Sequence, residues 1–384
     1  MALQRNRYSH LTDEEFRFLI QQLDGYQRTK DKLPSFARIK DWWYPVRLSC
    51  EQCSSELTAR YKASLLPKEA FTLTDLTGGY GVDTYFMSQE ATEAHYVERN
   101  IELCNIVAHN FERHRPNVHI HHTDAVTYLH QMQPSDVLYI DPARRDQHGG
   151  KVFRIEDCEP NLIEIMDDLR SKSQTIIIKL SPMLDISQAL ASLGGKWDVH
   201  IVAIRNEVKE ILLVSHLAEI ESRDGEGSIY ASNLIPTPQE EGYEPIQFAF
   251  SRDEERVAIC QHYEAEHEPQ MRPGTYIYEP NAAIIKAGAF KLVAQRYELC
   301  KMSVNTHLYI SNQLVRDFPG RIWQIVSTDV KKQKDIRANI ITRNYPLSPE
   351  ELRKKLKVKD GGEHTIIGCR LGDKPTLLLA ERIN

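Results

Sequence analysis

The sequence lacks the features that would assign it to a membrane, fibrous or disordered class. No run approaches the roughly 18–20 uninterrupted apolar residues that cross a bilayer, and the start, MALQRNRYSH, lacks the apolar stretch of a signal peptide. Apolar residues make up 41% and charged residues 27% of the chain, as in ordinary globular proteins. We therefore expect a folded cytoplasmic protein that makes no membrane contact, and its 384 residues predict two or three domains.

Cysteine is scarce, and its pattern argues against disulfides and metal. The seven cysteines are scattered and odd in number, which indicates free thiols in a reducing compartment. Only Cys50 and Cys53 have ligand-like spacing, and the second pair that a structural zinc site normally needs is missing. His119, His121 and His122 have no matching set of carboxylates and histidines. The sequence predicts no metal site.

A strong net charge is also missing, but charge is distributed unevenly. The formal net charge is −6, yet residues 321–360 carry 11 Lys or Arg against 5 Asp or Glu, and residues 236–270 carry 2 against 9. Attraction to phosphate depends on local charge, so the basic segment is a candidate nucleic-acid contact. An ordinary solvated face explains the same charges equally well.

The N-terminal region is predicted to be helical. Thr12 and Glu15 have capping-box spacing, and apolar residues recur at helical intervals from Phe16 to Leu23. This region leads into a different pattern that starts at Phe71.

From Phe71, short apolar runs alternate with amphipathic helices, which is typical of a parallel sheet covered on both faces. The last two predicted strands are separated only by residues 206–210, too few for a helical crossover, so they should pair antiparallel. Such a sheet is typical of class I methyltransferases. The predicted fold is α/β, a Rossmann-like seven-stranded sheet with a helical lead-in and small α+β C-terminal domains. The predicted strands are 71–76, 94–97, 118–120, 136–140, 175–179, 198–204 and 211–216.

Turn-forming residues within 221–235 predict a domain boundary. Strands at 247–250 and 276–278 and a helix at 282–297 are expected beyond it. The C-terminal stretch is predicted to hold a short basic helix, a turn at Gly361 and Gly362, and a hairpin that pairs 364–370 with 375–382.

A glycine loop follows the first predicted strand, which ends at Asp75. The backbone turns sharply there and approaches a ligand with no side chain in the way. The G-x-G-x-x-G spacing of nicotinamide sites is absent, because Thr84 stands at the third glycine position. An acid three residues before G-G-x-G suits the cationic methionyl amino group of S-adenosylmethionine, which is the predicted cofactor. The loop residues are Thr77, Gly78, Gly79, Tyr80 and Gly81.

Two further acids follow the next two strands. Glu98 ends the second strand, where a carboxylate can accept both ribose hydroxyls. Asp124 follows the third strand and can accept a hydrogen bond from the adenine amino group. With Asp75 and the neighbours Arg99 and Ala125, they form the predicted cofactor site. The alternative is that these acids merely cap the helices that follow.

The fourth strand runs into Asp141-Pro142-Ala143-Arg144-Arg145. Ligands bind outside the carboxyl ends of such strands, so this loop should face the transferred methyl group. Methyl transfer needs mainly alignment, and Asp141 is the candidate orienter or base. Pro142 belongs to the same loop, and Lys179 points to the same edge.

The two arginines of this loop have two interpretations. Arg144 and Arg145 can clamp a phosphate or stack on a base, since a guanidinium is planar and offers a fork of donors. Alternatively they form salt bridges to Asp146 or Glu156. Amino-group methyltransferases with D-P-P-x loops, which this loop resembles, usually carry an aromatic residue where Arg144 stands. The fifth-strand end lacks the cysteine that carbon methylation of pyrimidines requires, so no covalent intermediate is expected.

Four segments together resemble the bacterial methyltransferases that carry a THUMP-like domain. They are DLTGGYGVD at 75–83, DPARR at 141–145, YEPNAAIIKAGAF at 278–290 and NYPLSPEELRKKLKVKDGG at 344–362. The resemblance spans about 75–384.

The resemblance implies four regions. These are a helical N-terminal region at 1–67, an S-adenosylmethionine-dependent methyltransferase domain at 68–222, a ferredoxin-like domain at 223–320 and a THUMP-like domain at 321–384. THUMP domains proper bind RNA in enzymes that modify tRNA. The leading hypothesis is thus a methyltransferase that acts on a base of tRNA or rRNA. The alternatives are a protein or small-molecule methyltransferase, favoured by the acidic stretch, and a noncatalytic RNA-binding protein on the same scaffold. The oligomeric state stays open.

Overall fold

The computed structural model describes residues 10–144, 154–217, 227–237, 242–267, 269–330 and 337–383. The chain forms two compact units. The first consists of the described residues within 1–200, 209–227 and 236–244, and the second of those within 201–208, 228–235 and 245–384. None of the helices found in these described ranges has the length and apolar character needed to cross a membrane.

The first unit begins with the predicted helical region. Thr12 caps the first helix through a capping box, in which its hydroxyl accepts from Glu15 N and the Glu15 carboxylate accepts from Thr12 N. This confirms the predicted helix start. The helices are α1 (Asp13–Thr29), α2 (Pro34–Arg38), α3 (Arg47–Gln52) and α4 (Glu56–Ala63).

Alternating strands and helices follow. They are β1 (Thr72–Asp75), α5 (Val82–Met87), β2 (Glu93–Glu98), α6 (Ile101–Phe111), β3 (Val118–His122), α7 (Ala125–Gln131), β4 (Ser135–Ile140), β5 (Ala143–Arg144), a 3-10 turn (Ile155–Asp157), β6 (Cys158–Glu159), α8 (Leu162–Lys172), β7 (Ser173–Leu180), α9 (Ile186–Leu193), β8 (Asp198–Ile204) and β9 (Glu207–His216).

Seven of these strands lie in the order β8-β9-β7-β4-β1-β2-β3 within a nine-stranded sheet. Two later strands extend the sheet beyond β8, so it has two strands more than the seven predicted. Strands β3, β2, β1, β4 and β7 pair in parallel, and β9 pairs antiparallel with β7. The predicted fold class is confirmed. The predicted connection at 206–210 is wrong, because β9 already starts at Glu207. Arg205 and Asn206 form the whole turn with φ of 49° and 68°, values typical of the tightest hairpins.

Helix α5, directly after the glycine loop, is buried along its whole length. A helix that packs against a sheet usually shows one polar face to solvent, but here the N-terminal region covers that face of α5. The Phe36 ring stacks on Phe86 with centroids 5.8 Å apart, and Trp42 meets the edge of Tyr85 at 5.6 Å. The N-terminal helices and the glycine-loop helix therefore share one core.

Residues 201–208, at the end of β8 and the start of β9, already belong to the second unit, which also contains the remaining elements. They are β10 (Ser228–Pro236), β11 (Tyr243–Ser251), α10 (Arg252–Val257), β12 (Tyr276–Pro280), α11 (Ala282–Ala287), α12 (Phe290–Arg296), β13 (Cys300–Ser303), β14 (Thr306–Ser311), β15 (Gly320–Ser327), β16 (Arg337–Arg343), α13 (Pro349–Leu356), β17 (Lys359–Leu371) and β18 (Lys374–Arg382). A seven-stranded sheet runs in the order β13-β14-β12-β15-β18-β17-β16.

The predicted boundary at 221–235 is partly wrong, because Ser228 starts a nine-residue strand. Asn233 suggested a turn, but it is buried and its Oδ1 accepts from Asn206 N at 2.8 Å. A polar side chain that satisfies a distant backbone group thus gave a false turn signal.

Glycines account for two further differences in this unit. The predicted helix at 282–297 breaks in two, because Gly288 adopts φ of 78° and caps α11. Gly361 and Gly362 form no turn; they lie inside β17 with φ of 86° and 93°, where the pairing with β16 is irregular. The predicted basic helix is present as α13, and the predicted C-terminal hairpin is present as β17 and β18.

Candidate active site

A cleft of about 910 Å³ lies at the carboxyl ends of the parallel strands of the first unit. Gly81 is not among its lining residues. The Arg144 side chain and the whole of Arg145 lie outside the described residues, as does Asp146. The predicted site residues that line the cleft are Asp75, Thr77, Gly78, Gly79, Glu98, Arg99, Asp124, Ala125, Asp141, Pro142 and Lys179.

The glycines of the loop are required for different reasons. A Cβ on Gly78 would lie 2.1 Å from Cε2 of Tyr96, so no other residue fits there. Gly79 and Gly81 adopt φ of 54° and 78°, the left-handed region that favours glycine. Tyr96 also supports the loop by donating to the Gly79 carbonyl at 2.5 Å. Gly81 therefore shapes the loop by its backbone and does not contact the cleft.

Asp75 is fully buried at the end of β1. Its carboxylate accepts from Thr84 Oγ1 at 2.5 Å and from Thr77 N at 3.0 Å. Burial raises the pKa of Asp75 to about 7, against the opposing effect of these two hydrogen bonds. Thr84, which stands at the third glycine position of a nicotinamide motif, therefore donates a hydrogen bond to Asp75. A glycine at this position could not make that bond.

Glu98 and Asp124 differ in how fully their carboxylates are used. Glu98 accepts from Gly79 N at 2.9 Å and from Asn100 N at 2.8 Å, which fixes it against the loop. Asp124 accepts from Thr127 N at 2.9 Å and Thr127 Oγ1 at 2.5 Å, and these bonds lower its pKa. Asp124 therefore caps α7, as the capping interpretation expects, while also lining the cleft. The role of both acids in holding a cofactor stays a prediction.

Asp141 and Lys179 form an ion pair on the cleft wall. Lys179 Nζ donates to Asp141 Oδ2 at 2.5 Å, and the Asp141 backbone N donates to Thr77 Oγ1 at 2.6 Å. The cofactor loop and the β4 loop are thereby joined through Thr77. The Asp141 side chain is 38% exposed and that of Lys179 only 14%.

Sequence reasoning missed a group of charged residues behind this pair. Lys179 Nζ lies 3.9 Å from Asp83 Oδ2 on α5. Lys62 Nζ on α4 lies 3.2 Å from Asp83 Oδ1 and 2.6 Å from Glu210 Oε1 on β9. We call the five side chains the charge row. In order toward the cleft they are Glu210, Lys62, Asp83, Lys179 and Asp141.

Two neutral hydroxyls complete the surroundings of Asp83. Ser54 Oγ donates to Asp83 Oδ2 at 2.8 Å and Tyr139 OH donates to the same oxygen at 2.7 Å. Burial alone would raise the pKa of Asp83, but the ammonium groups of Lys62 and Lys179 hold it below its ordinary value. Burial likewise disfavours the charged form of Lys179, yet Asp141 and Asp83 hold its pKa above the ordinary value.

The cysteines and histidines singled out from the sequence have ordinary contacts. All seven cysteines are free, and Cys53 Sγ donates to the Cys50 carbonyl. Burial raises the pKa of Cys50 to about 12 and also raises that of Cys53. His121 contacts His95, with Nε2 and Nδ1 3.1 Å apart. Over the described ranges, no three His, Cys, Asp or Glu side chains are grouped so as to hold a metal ion.

Comparisons with known proteins place these features in a family. A crystal structure described as a "putative methyltransferase from Porphyromonas gingivalis W83" is 35% identical over 97% of this chain and 92% of its own, with a TM-score of 0.84. A ferredoxin-like domain family matches residues 276–319, and a family described as THUMP domain-like matches residues 321–382.

Two further solved structures are far less similar. A Geobacter metallireducens precorrin-6y C5,15-methyltransferase is 15% identical over 47% of this chain and 92% of its own, with a TM-score of 0.33. A Thermus thermophilus 16S rRNA N2 G1207 methyltransferase in complex with AdoMet and guanosine is 15% identical over 38% and 37%, with a TM-score of 0.30. No curated protein matches the chain.

Proposed function

Because the chain belongs to the family of methyltransferases that carry a ferredoxin-like domain followed by a THUMP-like domain, we propose that it methylates a base of tRNA or rRNA. S-adenosylmethionine is the proposed methyl donor. Transfer is direct, without a cysteine intermediate.

The observation that carries the cofactor proposal is the buried carboxylate of Asp75 beside the glycine loop. Burial raises its pKa to about 7, and the two groups that donate hydrogen bonds to it, Thr84 Oγ1 and Thr77 N, carry no charge. A cationic amino group placed nearby would supply a counter-charge, and S-adenosylmethionine carries one. Gly78 and Gly79 would hold the methionyl part by their backbones, Glu98 the ribose, and Asp124 the adenine.

The proposed chemistry needs little from the protein beyond alignment. Bound S-adenosylmethionine supplies a sulfonium whose methyl group is electrophilic. Lys179 holds the Asp141 carboxylate through Oδ2. This carboxylate accepts a hydrogen bond from an N–H of the base that receives the methyl group and so orients the nucleophile. Of the described cleft residues, Cys53 is the one cysteine, and its raised pKa keeps it a thiol. This supports direct transfer.

The proposal of an RNA acceptor rests on the C-terminal domain. Lys354, Lys355, Lys357 and Lys359 are all exposed at the end of α13 and the start of β17. Several ammonium groups on one short segment suit contact with successive phosphates. The same segment lies in the part of the chain that matches the THUMP-like family.

The decisive experiment measures transfer of labelled methyl from S-adenosylmethionine. Total RNA and, separately, total protein from cells lacking the gene serve as acceptors. We expect label in RNA, lost in Asp141→Ala and retained in Asp373→Ala, a control that removes a carboxylate from the β17–β18 turn. Label only in protein would overturn the RNA acceptor. No label despite tight cofactor binding would favour the noncatalytic scaffold.

The RNA-binding surface has its own test. Replacing Lys354 and Lys355 together by Gln should weaken RNA binding and reduce the slope of log affinity against log salt by about 1–2. Replacing Lys30 and Lys40, which are exposed in the N-terminal region, changes net charge equally and should leave that slope unchanged. Equal effects of the two double variants would place the RNA contact elsewhere.

A further inference from the structure

The charge row runs from the fully buried side chains of α4 and β9 to the cleft wall. Exposure rises along it, from 0% for Lys62 and 3% for Glu210 to 11% for Asp83, 14% for Lys179 and 38% for Asp141. Each neighbour along the row carries the opposite charge. Each side chain therefore attracts the next, and the row fixes charged side chains relative to one another.

Counting charges shows where the row carries its excess charge. It contains three carboxylates and two ammonium groups, so with all groups ionised one negative charge is left over. The shortest distances pair Glu210 with Lys62 at 2.6 Å and Asp141 with Lys179 at 2.5 Å. The excess therefore belongs to Asp83, which lies 3.2 Å from the ammonium group of Lys62 and 3.9 Å from that of Lys179.

Lys179 needs this support because its side chain is long and rotatable. An isolated lysine ammonium on a four-carbon stem has many accessible positions. Here Asp83 and Asp141 attract it from two sides. Asp83 is itself held by Ser54, by Tyr139 and by Lys62. Asp83 is thus a second carboxylate that attracts the Lys179 ammonium, in addition to Asp141.

Fold stability alone is a poor reason for such a row. Well-packed apolar residues of similar volume often stabilise a fold as well as a buried ion pair does, because charges lose their hydration on burial. The row also involves the N-terminal region: Lys62 lies on α4, and Ser54, between α3 and α4, binds Asp83 and lines the cleft. A role at the reacting centre accounts for both features.

We propose that Asp83 is a positioning residue for methyl transfer: it holds Lys179, and through Lys179 it fixes the Asp141 carboxylate against the acceptor. This inference rests on the proposed methyltransferase function. It further assigns the N-terminal region, through Ser54 and Lys62, a part in the catalytic step.

The test compares steady-state rates of variants of the full chain. Asp83→Asn should lower kcat on the order of 10²-fold, the loss caused by a misplacement of about 1 Å. Tyr139→Phe removes one hydrogen bond to Asp83 with little change in shape and should lower kcat on the order of tenfold. The KM for S-adenosylmethionine should change by less than about twofold in both, because neither group belongs to the proposed cofactor contacts.

Tyr309→Phe is the matched control. Tyr309 is as buried as Tyr139, and its hydroxyl donates to the Phe290 carbonyl at 2.8 Å in the second unit. Both Tyr→Phe variants should lower the melting temperature, but only Tyr139→Phe should lower kcat. If Asp83→Asn fails to fold, Tyr139→Phe decides. An unchanged kcat in the folded variants, or equal loss of kcat and cofactor affinity, would overturn the proposal.

A second readout does not depend on the acceptor. In protein labelled with 15N-lysine, the ammonium signal of Lys179, assigned through Lys179→Met, should shift or exchange faster in Asp83→Asn and Tyr139→Phe. An unaltered signal would show that Asp83 does not hold Lys179. If wild-type protein labels proteins and not RNA, the RNA proposal fails alone, and the same kcat comparison on the labelled protein still decides the role of Asp83.

Discussion

Lowering the pH from 7 to 6 should weaken the binding of S-adenosylmethionine about fivefold. Burial raises the pKa of Asp75 to about 7. The carboxyl of the free protein is therefore about half ionised at pH 7 and about one-tenth ionised at pH 6. The cationic amino group requires the ionised form, so affinity follows the ionised fraction and falls as the pH drops through 7. The comparison stays at or below pH 7 because an α-amino group loses its own proton near pH 8.

Isothermal titration calorimetry can measure both the affinity and the proton that binding displaces. At pH 6, binding should release nearly one proton, which appears as a dependence of the observed enthalpy on the ionisation enthalpy of the buffer. At pH 7 the release should be about half a proton. The two measurements report the same group independently, one through affinity and one through heat.

Asp75→Asn provides the control, since it keeps the shape and removes the titrating group. Its weaker binding should show neither the loss of affinity between pH 7 and pH 6 nor the proton release at pH 6. Wild-type affinity that stays flat across this range would refute the reasoning. So would a pH dependence that persists in Asp75→Asn, because another group would then carry it.

Two predictions concern stability and are checked by urea unfolding of the full chain. Gly81→Ala and Gly288→Ala each introduce a Cβ at a φ of 78°. Only at Gly81 does this Cβ meet another residue, at 3.0 Å. Gly81→Ala should therefore cost about 1 kcal/mol more in unfolding free energy than Gly288→Ala. Equal costs would show that the backbone conformation alone matters. Glu279→Gln should cost about 1–3 kcal/mol, because this buried carboxylate accepts from Arg343 Nε at 2.5 Å. Glu254→Gln, which removes an exposed ion-pair acid, should cost less than about 1 kcal/mol. A larger cost for Glu254→Gln than for Glu279→Gln would contradict the stabilising role of the buried Glu279 pair.

The sequence allowed the sheet and the glycine loop to be predicted because their signals are local. Asp75 stands directly between a buried strand and the glycines, and Glu98 ends the next strand. Topology then brings strand ends together without any need to know side-chain contacts. The hairpin of β8 and β9 was likewise predictable from a connection too short for a crossover, although its turn is even shorter than expected.

The charge row was not predictable because its members are far apart in sequence. Lys62 lies on a short helix with charged neighbours, where a lysine normally faces solvent, yet its side chain is fully buried. Asp83 sits in the first turn of α5, a position common for a solvated carboxylate near a helix start. Only the folded structure shows that the Lys62 ammonium lies next to the Asp83 carboxylate.

The role of Thr84 was only partly predictable. The sequence shows Thr84 at the third glycine position of the nicotinamide motif, and the cofactor that the loop holds stays a prediction. That the Thr84 hydroxyl binds Asp75 depends on a rotamer and a distance that no pattern encodes.

The ion pair between Lys62 and Glu210 spans 148 residues of sequence, and this has a consequence during synthesis. At about 5–20 residues per second, a ribosome delivers Glu210 on the order of 10 s after Lys62. Throughout that interval the ammonium group lacks the carboxylate from β9 and has, of the row, only Asp83 as a partner. The surroundings of Lys62 on α4 are therefore completed only after β9 has been synthesised.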